Sequence, residues 1–162
     1  MKPIVFTIGV YGFKESAFFE RLSGAGVQVF CDLRARRGVR GAQYAFANSQ
    51  RLQARLAELG MRYVHVKALA PPREVRETQY LADAATGVGK RTRTALSSKF
   101  IDAYESTCLS NFDARAFIEL ADGGATAIAL FCVERDARAC HRSLVAARLN
   151  EQLGLRVEHL VP

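Results

Sequence analysis

Tryptophan is absent from this 162-residue chain, and cysteine, proline and histidine are scarce, at four, four and three residues. Four cysteines without a single CxxC pair exclude a disulfide scaffold and the usual zinc-ribbon and thioredoxin signatures. No apolar run approaches the roughly 18 residues a membrane span needs, so no membrane partner is expected. Internal repeats, low-complexity tracts and linkers are also missing, which leaves one domain over residues 1–162 as the expectation. The opening MKPIVFTIGV lacks a small-residue cleavage site and reads as a first strand rather than a signal peptide, pointing to a cytoplasmic protein. Acids are missing too, but only locally: residues 33–57 hold six arginines and no carboxylate.

That local deficit organises the charge. Residues 33–99 carry fourteen Lys and Arg against four acids, a net of +10, and the remainder carries nine against twelve, a net of −3, which together give the overall +7. Arginine outnumbers lysine eighteen to five. Its planar fork suits bidentate recognition of phosphate or carboxylate better than a point charge does. A basic face for an anionic small molecule or a nucleic acid is the expected partner surface.

Hydrophobic patterning gives the elements. Ile4–Ile8 reads as a buried strand, Lys14–Leu22 as a helix, Val27–Leu33 as a second strand, and Arg34–Asn48 as an arginine-rich loop. Ser49 caps a helix containing Leu52, Leu56 and Leu59, and Met61–Val66 is a third strand. The polar stretch Pro71–Val88 reads as a long surface excursion, and Gly89–Leu109 as a long helix with a basic start. That start opposes the helix dipole, so either the helix begins nearer Thr94 or Lys90, Arg91 and Arg93 face an anion. Phe112–Leu120 is a further helix, Ala125–Val133 the central strand, Cys140–Leu153 a helix and Leu155–Val161 a last strand. Alternating strands and helices predict an α/β fold, a mostly parallel sheet of about five strands with helices on both faces.

Ligands of such sheets bind beyond the carboxyl ends of the strands. Asp32, His65, Cys132 and Glu134 stand at predicted strand ends, and Cys140, His141 and Arg142 open the helix that follows. If the helix starts near Ala139, Cys140 and His141 occupy its first turn, where free N–H groups bind anions and favour a thiolate. Glu134 or His65 is then a candidate general base, Cys140 or Cys132 a nucleophile, and Asp32 a carboxylate partner or merely a holder of Arg34 or Arg37. Arg34, Arg37, Arg40, Arg142 and His141 are the candidate anion-binding residues. The spacing of Cys132 and Arg138 matches a phosphatase loop, but two acids and no glycine intervene. No metal site is expected, because adjacent Cys140 and His141 in a helix point apart, and no cofactor is named. Tyr44 and Phe46, set among arginines, are candidates for stacking on bases.

Thr7-Ile8-Gly9, Asp32-Leu33-Arg34, Tyr63-Val64-His65, Cys132-Val133-Glu134 and Cys140-His141-Arg142-Ser143 together resemble the family filed as domain of unknown function 488, from about Val5 to Val161. The resemblance implies a small bacterial or archaeal α/β domain with no established general activity. Val10 stands where many members have histidine, and Arg36-Arg37-Gly38 replaces a proline-containing turn, which suggests an arginine-rich subgroup. Three functional readings follow from the residues. The first is an enzyme acting on an anionic, nucleotide-like or nucleic-acid-related substrate. The second is a non-catalytic nucleic-acid-binding module using residues 34–55 and 90–99. The third is a thiol redox sensor built on Cys132 and Cys140.

Overall fold

The computed structural model describes residues 1–162, the side chain of Asp122 excepted. The elements run β1 (Ile4–Ile8), α1 (Glu15–Gly24), β2 (Val29–Asp32), α2 (Ser49–Glu58), β3 (Arg62–His65), α3 (Arg73–Thr86), α4 (Ser98–Thr107), α5 (Ala114–Asp122), β4 (Ala127–Phe131), α6 (Arg142–Leu153) and β5 (Val157–Leu160). The strands form one sheet in the order β3-β2-β4-β1-β5. Every pairing is parallel, and β4 is central as expected. No helix among the described residues is long and apolar enough to cross a membrane.

The strands are near-continuous apolar runs because both faces are covered. Phe6, Ile8, Phe30, Ala129 and Phe131 point to one face and pack under Phe18, Phe19 and Leu22 of α1 and Leu52 and Leu56 of α2. Val5, Val29, Cys31, Ile128 and Leu130 point to the other, under Val75 of α3, Phe100 and Tyr104 of α4, Phe117 of α5 and Val145 and Leu149 of α6. Period-two alternation thus feeds two cores from single strands.

Register levels the strand ends. Ile8 and Asp32 both pair with Phe131, Asp32 also pairs with His65, and Ile8 with Leu160. The residues that follow share one edge. From there β1 and β2 lead to α1 and α2 on one face, whereas β4 leads to α6 on the other, opening a crevice beside β4.

Two expected elements are corrected. Most of Pro71–Val88 is helical: Pro72 starts α3, and Gly87, at φ +69°, ends it in the left-handed conformation that favours glycine. Its buried stripe is Val75, Gln79 and Asp83, so the helical period is carried by polar residues. The long helix over Gly89–Leu109 shrinks to α4, with Ser97 accepting from the Phe100 N–H as its cap. Residues 88–97 are a loop that folds back over the sheet edge, Leu96 N–H donating to the Arg138 carbonyl. The last helix starts at Arg142, so Cys140 and His141 precede it.

Candidate functional site

The crevice is a cavity of about 600 Å³, walled by the turns after β1, β2 and β4, by α3 and by the 88–97 loop. Seven cationic side chains line it (Arg34, Arg36, Arg40, Arg76, Lys90, Arg91 and Arg93) against a single carboxylate, Glu134. Arg34 pairs with Asp32, and Arg93 with Asp83 and Glu134. The other five have no ion-pair partner among the described residues. Arg91 lies over the rings of Tyr11 and Tyr44, 5.4 Å from each centroid, and donates to the Arg40 carbonyl, which ties the 88–97 loop to the turns after β1 and β2. Arg76 Nε is buried without a hydrogen-bond partner among the described residues.

The floor holds Cys132, Glu134, Cys140 and His141. Cys140 is extended, at φ −138° and ψ 143°, and His141 turns into α6. Outside a helix the adjacent side chains can converge, which corrects the expectation that they point apart: the Cys140 Sγ and His141 Nδ1 are 3.7 Å apart. The Cys132 Sγ joins them, all three atoms lying within 4.8 Å of one another. His141 Nε2 is 2.9 Å from the Leu33 carbonyl, which only accepts, so Nε2 carries the proton. Nδ1 is therefore the ring atom that faces the sulfurs.

Burial raises the Cys140 thiol, but hydrogen bonding from Cys132 and the charges of Arg142 and His141 bring it well below the ordinary range. Cys132, hydrogen-bonded to Cys140 and desolvated, moves the opposite way. His141 is raised: burial lowers it, and the neighbouring Cys140, with the Glu134 charge and the Leu33 carbonyl, more than compensates. Glu134 is raised by burial and by Cys140, and its Oε2 has no hydrogen-bond partner among the described residues. Cys31, in contrast, is pushed up to about 12, chiefly by burial, and behaves as a packed hydrophobe.

Four candidate residues fall outside the cavity lining. Asp32 is wholly buried, taking Arg34 Nε at 2.9 Å, Arg34 Nη2 at 2.8 Å and the Tyr63 hydroxyl at 2.6 Å, so it is a holder of Arg34. His65 bonds the Arg34 carbonyl at 2.9 Å on the far side of that turn. Arg37 faces solvent and Tyr63. Arg142 is buried and donates to the Glu134 carbonyl at 2.7 Å and the Arg135 carbonyl, shaping the turn after β4 rather than holding a ligand. Arg138 is exposed and paired with Asp136, so no phosphatase-type loop forms between it and Cys132. Phe46 is core, while the Tyr44 ring packs against Tyr11 at a tilt of 59°, centroids 5.2 Å apart.

Gly9 makes this packing possible. A Cβ there would stand 1.8 Å from the Glu134 carbonyl oxygen and 3.1 Å from Arg142 Nη1. Gly9→Ala is therefore expected to lower stability by about 1–3 kcal/mol, the range for forcing an extra methyl into packed structure. Urea unfolding followed by circular dichroism checks this, and an unchanged midpoint would show that the turn after β4 yields freely.

Fold and floor define a class: a parallel α/β protein with a buried cysteine–histidine cluster under a basic cavity at the carboxyl edge of its sheet. The chain belongs to the family described as Domain of unknown function DUF488, which matches residues 14–149 and so includes the cluster and the Asp32-Leu33-Arg34 turn. No curated protein and no solved structure matches the chain.

Proposed function

We propose that the chain, acting as one unit over residues 1–162, is an enzyme for an anionic, phosphate-bearing substrate bound in the cavity at the carboxyl edge of the sheet. The carrying observation is the convergence of five cations, without ion-pair partners among the described residues, on a concave space floored by Cys132, Glu134, Cys140 and His141. Arg36, Arg40, Arg76, Lys90 and Arg91 hold the anion. Glu134 Oε2 accepts a proton from the substrate or from water, the role for which a carboxylate amid cations makes chemical sense. Concavity favours this reading over the nucleic-acid module. Two arginines of that module's footprint, Arg51 and Arg55 on α2, are paired with Glu15 and Glu58. A cytoplasmic setting agrees with four free thiols.

Inorganic pyrophosphate is the probe. Calorimetry at low salt is expected to show saturable binding of one molecule per chain. Arg76→Ala and Arg91→Ala should each weaken it about tenfold or more, because a hydrogen bond to a charged group contributes about 1.5–3 kcal/mol. Arg51→Ala with Arg55→Ala should change nothing. Product formation from a panel of nucleotides should fall by about 10²–10⁴-fold in Glu134→Gln, with pyrophosphate binding preserved. Tight, steeply salt-dependent binding of a long single-stranded oligonucleotide without any pyrophosphate binding would overturn the enzyme reading.

A further inference from the structure

The geometry points to a metal centre in the cavity floor: a tetrahedral site for a zinc-class divalent cation, held by the Cys132 and Cys140 sulfurs and His141 Nδ1, with the fourth position open to the cavity. The assignment starts from donor type. Two thiolates and one imidazole are the ligands of borderline-soft ions, and three protein ligands with one open position is the pattern of reactive rather than purely structural zinc sites.

Spacing agrees. With metal–sulfur bonds of about 2.3 Å and metal–nitrogen bonds of about 2.0 Å, tetrahedral donors stand about 3.4–3.8 Å apart. Cys140 and His141 already have that separation at 3.7 Å, and no pair in the cluster exceeds 4.8 Å. A contraction of about 1 Å at most completes the site.

The surroundings agree as well. A metal-binding imidazole typically donates its other N–H to a carbonyl or carboxylate, which fixes the tautomer and aims the lone pair. Here Nε2 donates to the Leu33 carbonyl at 2.9 Å. Leu33 itself is held by its N–H to Phe131 O and by the Asp32–Arg34 pair across the same turn. Both cysteines and the histidine are at least nine-tenths buried, yet all three line the cavity. The orphaned Glu134 Oε2 lies in the same floor, an acceptor for a proton of water on the ion.

Binding releases to solvent the Cys132 thiol proton and any proton shared by the Cys140–His141 pair, and it leaves both sulfurs as thiolates and Nδ1 unprotonated, with no change of oxidation state. The inference deepens the proposed reading by naming what the floor holds. It rests on that reading only for the substrate that would approach the fourth position.

Cobalt(II) is the probe, added to full-length protein stripped by chelator under reducing conditions. Expected is one cobalt per chain, with a thiolate-to-cobalt charge-transfer band, the visible bands of tetrahedral cobalt, and bleaching on addition of zinc. Cys132→Ser, Cys140→Ser and His141→Gln should each weaken binding at least tenfold. Cys31→Ser and Cys108→Ser, folded by circular dichroism, should leave the spectrum unchanged. Zinc should also protect Cys140 from iodoacetamide in the wild-type chain. A cobalt spectrum without charge transfer, or one that survives His141→Gln, would overturn the centre. So would a peroxide-formed Cys132–Cys140 disulfide in protein that binds no cobalt when reduced, which assigns the sulfurs to a redox pair. Cobalt binding is read without pyrophosphate and pyrophosphate binding without metal, so either assignment can fail alone.

Discussion

Arg93→Ala is expected to destabilise the chain by about 3–5 kcal/mol, toward the upper end of that range, because it strips one guanidinium from two buried carboxylates at once. Arg93 Nη1 is 2.6 Å from Asp83, Nη2 is 2.8 Å from Glu134, and Nε donates to the Ala139 carbonyl at 3.2 Å. All three side chains are close to nine-tenths buried or more. One residue therefore fastens the 88–97 loop to α3, to the turn after β4 and to the approach to α6. Lysine, a single point charge, can serve one carboxylate at a time, so Arg93→Lys should recover only part of the loss. Glu134→Gln in the Arg93→Ala background should recover part as well, since it removes one of the two stranded charges. The measurement is urea unfolding of the four proteins by circular dichroism. A loss below about 1 kcal/mol in Arg93→Ala would mean that water reaches both carboxylates and that the loop is not fastened here.

Arg93 also shows where sequence reading stops. The sheet, its central strand and its α1 and α2 cover were legible because apolar runs with period-two and helical spacing name a buried face directly. The segment over α3 was not. Its buried positions are Val75, Gln79 and Asp83, two of them polar, so an apolar period is absent although the geometric period is there. Those side chains are buried because distant groups meet them: Gln79 accepts from Ser97 N–H, and Asp83 from Arg93. Such partners lie ten or more residues away, and a pattern confined to one element does not contain them. The basic start of the next segment opposes a helix dipole. The resolution is that no helix forms there, and its cations turn into the cavity or over its rim.

The site divides along the same line. Its edge of the sheet followed from parallel topology, and Glu134, Cys132, Cys140, His141, Arg34 and Arg40 do line the cavity. What residue spacing misplaced was orientation. A two-residue shift in the start of α6, from Cys140 to Arg142, takes Cys140 out of the helix, and its extended backbone then turns its sulfur toward the His141 ring. Helical periodicity would have kept those side chains apart. In the sequence Arg142 reads as a fixed cation at the opening of the helix, beside Cys140 and His141. In the fold it is the largest wholly buried side chain, and the carbonyls of residues 134 and 135 take its donors.

Asp32→Ala is expected to destabilise by about 3–5 kcal/mol and, on the proposed metal centre, to weaken cobalt binding by about 10–100-fold. Asp32 has no exposed surface, and its two oxygens receive the Arg34 backbone N–H at 3.1 Å, the Arg34 guanidinium twice and the Tyr63 hydroxyl. Removing it strands a buried cation whose remaining contacts are the Ala47 carbonyl at 2.8 Å and the Phe131 ring at 4.7 Å. Replacing the ion pair as a whole differs from breaking it. Asp32→Leu with Arg34→Met should recover most of the loss, since buried pairs exchanged for apolar groups of similar volume are often neutral or better. The metal effect has a separate path. The Asp32–Arg34 clamp spans Leu33, whose carbonyl fixes the His141 tautomer, so a loosened turn lets Nδ1 drift from the sulfurs. The double variant restores packing without restoring the clamp. It should therefore regain stability while cobalt affinity stays low, and that split is what a residue important only for folding does not produce. Recovery of both together would reduce Asp32 to a stability element and remove its positioning role.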